Sequence, residues 1–352
     1  MPLDTLPGDH PMRRLLALAL TLFVAGCLFD KEPEVVRLSG ETMGTTYHVT
    51  AIGEDLDEDA LSAAVEETLA QVNAKMSNWD PNSEVSVFSA SASTDPMPVS
   101  KEFAYVIAAA NHVHQQSGGV FDVTLGPLIE LWGFGPRKPE DPVPSDAEIA
   151  AALEQVGQAR LLTLDTQAGT LAKAQPGVGI NLSAIAKGYG IDAVAETLRE
   201  AGIENYMVEI GGDLVARGQN DKGEAWRIGI EKPETGSQTV QFIVPLDNRG
   251  MATSGDYKNF FEQDGVRYSH IIDPTTGRPI THRTTSVTVL AENAMMADAW
   301  ATAMLALGQE RGLKLADQLG LAVFFISRDV TGGEDAYITV QSSAFKDALG
   351  SN

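Results

Sequence analysis

Tyr206-Met207-Val208-Glu209-Ile210, Trp226–Glu231, Val240–Pro245 and Phe260–Ile272 are four β-rich segments that follow one another in the chain. Strands that succeed one another without a helical crossover pair antiparallel. The last segment is expected to fold back on itself at Asp264-Gly265, a dipeptide suited to a two-residue hairpin turn. Helical patterns flank this run. Leu61, Val65, Leu69, Val72 and Met76 recur at helical spacing and predict an amphipathic helix over residues 57–76. Ser100 caps a second helix carrying Phe103, Val106, Ile107, Ala110 and Val113 and ended by Gly118-Gly119. Ser145 and Glu148 form a capping-box pair for a third. A fourth is expected from about Ala184 to Glu200, and a fifth over Asn293–Leu307. Further strands are expected over Val35–Thr50 (broken by Gly40 and Gly44), Leu161–Leu164, Thr170–Ala174, Thr285–Leu290, Leu321–Ser327 and Tyr337–Val340. The order of elements predicts an α+β fold, a largely antiparallel sheet with packed helices. With no repeat and no linker, one domain over residues 38–345 is expected, with two intimately packed lobes as the variant.

The N-terminus carries an export signal. Met12-Arg13-Arg14 precedes an apolar run from Leu15 to Val24, then Ala25-Gly26-Cys27. A basic start, a run of roughly ten apolar residues and small residues before a cleavage point make a secretory signal. The run falls short of the roughly 20 residues that span a bilayer. Val24–Cys27 resembles a bacterial lipobox, which makes residues 1–27 a signal ending in a lipidated cysteine and residues 28–37 a charged tether. Met12 is the better start than Met1, since signals rarely open on an acidic, proline-containing stretch. The plainer alternative is a mature N-terminal helix with an incidental cysteine.

Cys27 is the single cysteine in 352 residues, so the chain forms no internal disulfide and has no thiolate metal site. A hydrophobic content of 43% over this length supports a packed core instead. The formal charge of −23 repels nucleic acid, and it repels any anionic ligand unless cations intervene.

Five glycine-punctuated segments carry the chemistry. Thr42–Tyr47, with Met43 and Gly44, reads as a strand or as part of a site. Trp79 sits in the polar stretch Met76–Pro81, beyond a helix, and is either offered for stacking or buried to anchor its loop. Ser117–Pro136, containing Val120, Phe121 and Asp122, crowds glycines, prolines and aromatics together and makes either a binding surface or a rigid loop. Gly179–Gly190 runs a strand into a helix start, where unpaired N–H groups and the dipole favour an anion. Lys187 stands against that dipole, which suggests a phosphate partner. No Walker spacing is present. The fifth segment joins Ser254–Tyr257, Tyr268–Pro279 and Thr284–Met304. Asp298 and Thr302 share one helix face among alanines and methionines. A carboxylate there needs a partner, and a hard cation held by carboxylate, hydroxyl and carbonyl oxygens suits Mg²⁺; a hydrogen-bonded or solvent-facing aspartate is the alternative. His270 is either a general base or a loop-ordering hydrogen bonder.

Taken in order, these segments resemble the ApbE family of FAD:protein FMN transferases over roughly residues 38–330. Phe121–Pro136, Ala186-Lys187-Gly188-Tyr189, Ser269–Gly277 and Thr285–Thr302 are the most specific matches. The resemblance implies a T-fold-like architecture and a lipoprotein on the periplasmic face of a bacterial membrane. It also implies cleavage of FAD with FMN passed to a Thr or Ser hydroxyl and AMP released. Acceptors would be subunits of sodium-pumping NADH:quinone oxidoreductase or Rnf-type complexes. By the same resemblance Met43, Trp79, Val120, Phe121, Asp122, Asn181, Lys187 and Ile272 line the FAD site, and Ala184 (through its carbonyl), Asp298 and Thr302 hold Mg²⁺. The chain departs from the family at Asn181, often aspartate, at Trp79, often tyrosine, and at Ala301, acidic in some members. His270 is the candidate base for the acceptor hydroxyl. Two other readings compete: an FAD pyrophosphatase with water as acceptor, and a lipid-tethered flavin-binding protein without chemistry.

Overall fold

The computed structural model describes residues 33–134, 143–234, 239–257, 259–329, 331 and 336–350. Its strands are β1 (Glu34–Thr42), β2 (Thr45–Gly53), β3 (Met97–Pro98), β4 (Leu162–Asp165), β5 (Thr170–Lys173), β6 (Asn205–Ile210), β7 (Asp213–Arg217), β8 (Trp226–Glu231), β9 (Val240–Leu246), β10 (Arg249–Gly255), β11 (Phe260–Gln263), β12 (Val266–Ser269), β13 (Ile272–Asp273), β14 (Arg278–Pro279), β15 (Thr284–Ala291), β16 (Ala322–Arg328) and β17 (Tyr337–Gln341). The helices are α1 (Glu58–Met76), α2 (Glu84–Ala90), α3 (Lys101–Gln116), α4 (Gly126–Leu131), α5 (Asp146–Leu153), α6 (Gln158–Leu161), α7 (Ala186–Glu200), α8 (Ala294–Leu319) and α9 (Ser343–Gly350).

Eight strands form one sheet in the order β1-β2-β6-β7-β10-β15-β16-β17. Every junction is antiparallel. Sheet order follows chain order, so the sheet is a meander whose long connections leave it and return. The helices α1 to α7 leave between β2 and β6, the pair β8–β9 between β7 and β10, and the hairpins β11–β12 and β13–β14 between β10 and β15.

Strand alternation sorts the side chains onto two faces. Tyr206, Val208, Ile210 and Val215 meet Leu61, Val65 and Leu69 of α1 and Ile191, Val194 and Leu198 of α7. Ala252, Val287, Val289, Val323 and Phe325 join α3 and α8 on the helical side. Leu214, Ala216, Met251, Leu290, Phe324 and Ile326 turn the other way, onto β8–β9 and Phe345 of α9. β15 and β16 are covered on both faces, which is why they read as continuous apolar and β-branched runs.

The expected hairpin at Asp264-Gly265 is present, with φ of 53° and 76°. Ser100 caps α3, and Ser145 with Glu148 makes the capping box of α5. Three expectations are corrected. Val35–Thr50 is two strands, because Met43 and Gly44 both take positive φ and close a hairpin. Glu34–Arg37, expected to end the tether, lie in β1. α7 begins at Ala186 and not at Ala184. The helix expected over Asn293–Leu307 is present: Gly308 leaves helical geometry (φ 75°, ψ 168°), a second helical stretch runs on to Leu319, and the Gln309 N–H at its start donates to Thr284 Oγ1 at 2.7 Å. Glu34–Asn352 form one compact unit. The signal, the start at Met1 or Met12, Cys27, the first residues of the tether, and Gly135 and Pro136 lie outside the described residues.

α7 and α8 approach most closely at Gly188, where an added Cβ would sit 2.4 Å from the Ala294 carbonyl oxygen and 2.6 Å from Met295 Cα. Both obstacles are backbone, so the two helices would have to part. Gly188→Ala is expected to cost on the order of 3 kcal/mol, read as a lower midpoint in urea unfolding at unchanged slope.

Candidate active site

The excursions of the meander converge on a cavity of about 400 Å³, within the range of small-molecule sites. α7 and α8 form its floor, the end of β10 one wall, the loop before α4 another, and the chain that links hairpin β11–β12 to β13 a third. Eleven of the twelve residues singled out from the sequence line it: Trp79, Val120, Phe121, Asp122, Asn181, Ala184, Lys187, His270, Ile272, Asp298 and Thr302. Met43 does not. It occupies the β1–β2 turn with its thioether against Gly190 of α7.

Asp298 is buried, and its Oδ2 accepts the Gly188 N–H at 3.1 Å. Regular helix geometry would give that N–H to the Ala184 carbonyl, so the bond to Asp298 leaves the carbonyl unpaired with Gly188. Burial pushes the Asp298 carboxyl up to about 6, with Lys187 pulling the other way. Lys187 ion-pairs with Asp213, and its ammonium lies 3.9 Å from Asp298 Oδ1. Burial works against that ammonium, but Asp298 and Asp213 outweigh it and raise Lys187 above its ordinary value. The lysine set against the helix dipole therefore has a carboxylate partner within the protein. Two buried carboxylates share one ammonium, so the pocket floor keeps an excess negative charge. Thr302 Oγ1 lies 3.1 Å from Ser254 Oγ. A carboxylate, a hydroxyl and a backbone carbonyl beside uncompensated charge are hard donors suited to a divalent cation such as Mg²⁺.

His270 is half-buried, and its Nδ1 lies 2.9 Å from the Asn259 carbonyl oxygen. A carbonyl only accepts, so Nδ1 carries the proton and Nε2 keeps its lone pair. Burial lowers the imidazole below its ordinary value, partly offset by the Asn259 carbonyl, which keeps the ring neutral near pH 7. The ring orders its loop through Nδ1, one of the two sequence readings, and the lone pair left on Nε2 is compatible with the other.

Trp79 is 85% exposed, so it does not anchor its loop by burial, and it stands among the residues lining the cavity. Asp122 faces inward. Its Oδ1 accepts Thr124 N–H at 2.7 Å and Thr124 O–H at 2.5 Å, and its Oδ2 accepts Gln158 N–H at 2.9 Å, so the carboxylate organises its own loop. Asn181 accepts from Ser183 N–H at 3.0 Å. Val120 and Phe121 are buried in the core beneath the cavity, and Ile272 joins Leu128, Trp132 and Ile149 behind another wall.

Sequence reasoning missed Asp213, which receives Lys187 and accepts Thr253 N–H at 2.9 Å. It also missed Thr253 and Asn259, whereas Leu125, Ile129 and Phe134, which line the cavity, lie in the Ser117–Pro136 segment read as a binding surface or a rigid loop. The available signal was an acid directly after Gly211-Gly212 at the head of the apolar run Leu214-Val215-Ala216, a charge that needs a cation when buried.

The model of the ApbE family matches residues 43–325. Curated proteins named FAD:protein FMN transferase include one from Vibrio cholerae, 44% identical over 95% of this chain and 98% of the relative. Another, from Haemophilus influenzae, is 43% identical over 94% and 96%. Among solved structures, the flavin transferase ApbE of Vibrio cholerae superposes with a TM-score of 0.81 at 43% identity, covering 90% of this chain and 99% of that one. The apo flavinyl transferase ApbE of Pseudomonas stutzeri gives 0.81 at 37% identity, over 91% and 98%. With the match extending across nearly the whole described fold, this chain belongs to the ApbE family.

Proposed function

We propose that this chain is an FAD:protein FMN transferase that moves FMN from FAD onto a Thr or Ser hydroxyl of an acceptor protein and releases AMP. The observation that carries this reading is the joint placement, in one aromatic-rimmed cavity of an ApbE-family fold, of a buried hard-oxygen donor set and a histidine with its Nε2 lone pair free. In the reaction the acceptor oxygen bonds to the FMN phosphorus, and the bridging P–O bond breaks with its electron pair going to AMP. The hydroxyl proton passes to His270 Nε2. Ala184, Asp298 and Thr302 would hold Mg²⁺, which supplies charge neutralisation for the pyrophosphate and the departing phosphate. Lys187, charged by its two carboxylates, adds a fixed positive group beside the same floor. Trp79 offers its face to a flavin or adenine ring.

The N-terminal signal and the lipobox ending at Cys27 support a lipid-anchored enzyme on the periplasmic face of a bacterial membrane. Acceptors there are flavinylated subunits of sodium-pumping NADH:quinone oxidoreductase or Rnf-type complexes. Incubation with FAD, Mg²⁺ and such an acceptor domain is expected to place flavin fluorescence on the acceptor band, with one AMP per flavin attached. Free FMN and AMP without labelled acceptor would mean a pyrophosphatase, and FAD retained intact would mean a carrier. Trp79→Ala is expected to raise the KM for FAD roughly 5- to 10-fold, the loss of about 1 kcal/mol of stacking, with kcat little changed in steady-state assays.

A further inference from the structure

His270 follows β12 directly, on a hairpin that leaves the main sheet as an excursion. A base on such an element transfers protons efficiently only if something fixes the hairpin to the rigid core. One attachment stands out. Asp256, immediately after β10, is buried at 4% exposure. Its N–H donates to the Thr285 carbonyl of β15 at 2.9 Å, which anchors the residue to the sheet. Arg267, on β12, meets it twice: Nη1 donates to Asp256 Oδ2 at 2.7 Å and Nη2 to the Asp256 carbonyl at 2.7 Å. The same guanidinium lies over the Phe260 ring of β11, 4.0 Å from the centroid, so it grips both strands of the hairpin. Arg328 at the end of β16 adds a second cation, 3.5 Å from Asp256. At the base of the hairpin the Asn259 carbonyl accepts from both the His270 N–H at 3.2 Å and the ring Nδ1–H at 2.9 Å.

We infer that Arg267, clamped to Asp256, is a positioning residue for the transfer reaction: it holds the β11–β12 hairpin so that the Asn259 carbonyl keeps the His270 proton on Nδ1 and Nε2 aimed into the cavity. The role rests on the function proposed above, in which His270 takes the acceptor proton. Arg267 and Asp256 do not line the cavity, so the clamp acts through the histidine and touches neither FAD nor acceptor. The planar, two-pronged grip on a side-chain and a backbone oxygen is specific to arginine; lysine keeps the charge but loses the fork.

The test uses the full chain carrying Arg267→Met, Arg267→Lys, His270→Ala and the Arg267→Met/His270→Ala double variant. Arg267→Met is expected to lower kcat about 100-fold, the scale of a misplaced catalytic group, with the KM for FAD unchanged. Arg267→Lys is expected to fall between it and the parent. In the His270→Ala background Arg267→Met is expected to cost nothing further, because the group it positions is gone. Imidazole ¹⁵N shifts, with His270 assigned through its alanine variant, should show the Nδ1–H tautomer in the parent and a shift toward Nε2–H in Arg267→Met. An undiminished kcat, an equal loss in the His270→Ala background, or an unaltered tautomer would each overturn the proposal. The tautomer is read without turnover, so it decides the clamp even if the parent protein transfers no FMN.

Discussion

Asp298→Ala abolishes FMN transfer, a loss of about 10³-fold or more, while the folded state survives. The two halves of this expectation have separate reasons. Activity is lost because Asp298 is the carboxylate of the donor set that combines charge with hydroxyl and carbonyl oxygens; without it Thr302 and Ala184 present neutral oxygens too weak to hold Mg²⁺ against water. The fold survives because burial already disfavours the ionised carboxylate, pushing it up to about 6, and Asp213 repels it further. Lys187 keeps its pairing with Asp213, and the main loss is the bond from the Gly188 N–H. AMP release and covalent flavin on the acceptor should both vanish. The thermal midpoint should move by only a few degrees.

His270→Ala lowers kcat by about 10²- to 10⁴-fold, the span of a positioned general base, and removes the imidazole's share of the acidic limb of the pH–rate profile. The sign follows from the ring's surroundings. The base must be neutral to take the hydroxyl proton. Burial lowers the His270 pKa from its ordinary 6.5, so Nε2 is available throughout the neutral range. The imidazole part of the acidic limb appears as pH drops through that lowered value and the ring gains its second proton, so it is expected below pH 6.5. In the alanine variant only the fall from protonation of Asp298, at about 6, should remain.

Much of the site was legible because its residues sit on segments with strong local signals. Asp298 and Thr302 share a face of a long periodic helix, Lys187 stands at a helix start, and Trp79 lies in a turn-rich stretch. The fold class was legible from successive β-rich runs. Asp213 and Thr253 show where legibility ended. They belong to β7 and β10, strands of five and seven residues. Arg249–Gly255 carries two glycines and two hydroxyl residues and has no hydrophobic alternation, since it is held as a strand by pairing to β7 and β15 on either side. Such a strand is made by its neighbours, and no propensity in its own sequence announces it. The carboxylate of Asp122 was read toward a ligand, but the loop uses it for its own N–H groups, a contact 36 residues away in the case of Gln158 that local sequence does not reveal.

A crystal of the protein soaked with FAD and Mg²⁺ addresses the central claim most directly. The account predicts density for one divalent ion touching Asp298, Thr302 and the Ala184 carbonyl, with the FAD pyrophosphate on its far side and a ring of the nucleotide against Trp79. A nucleotide bound elsewhere, or bound in the cavity with its phosphates remote from Asp298 and no metal between them, would contradict it.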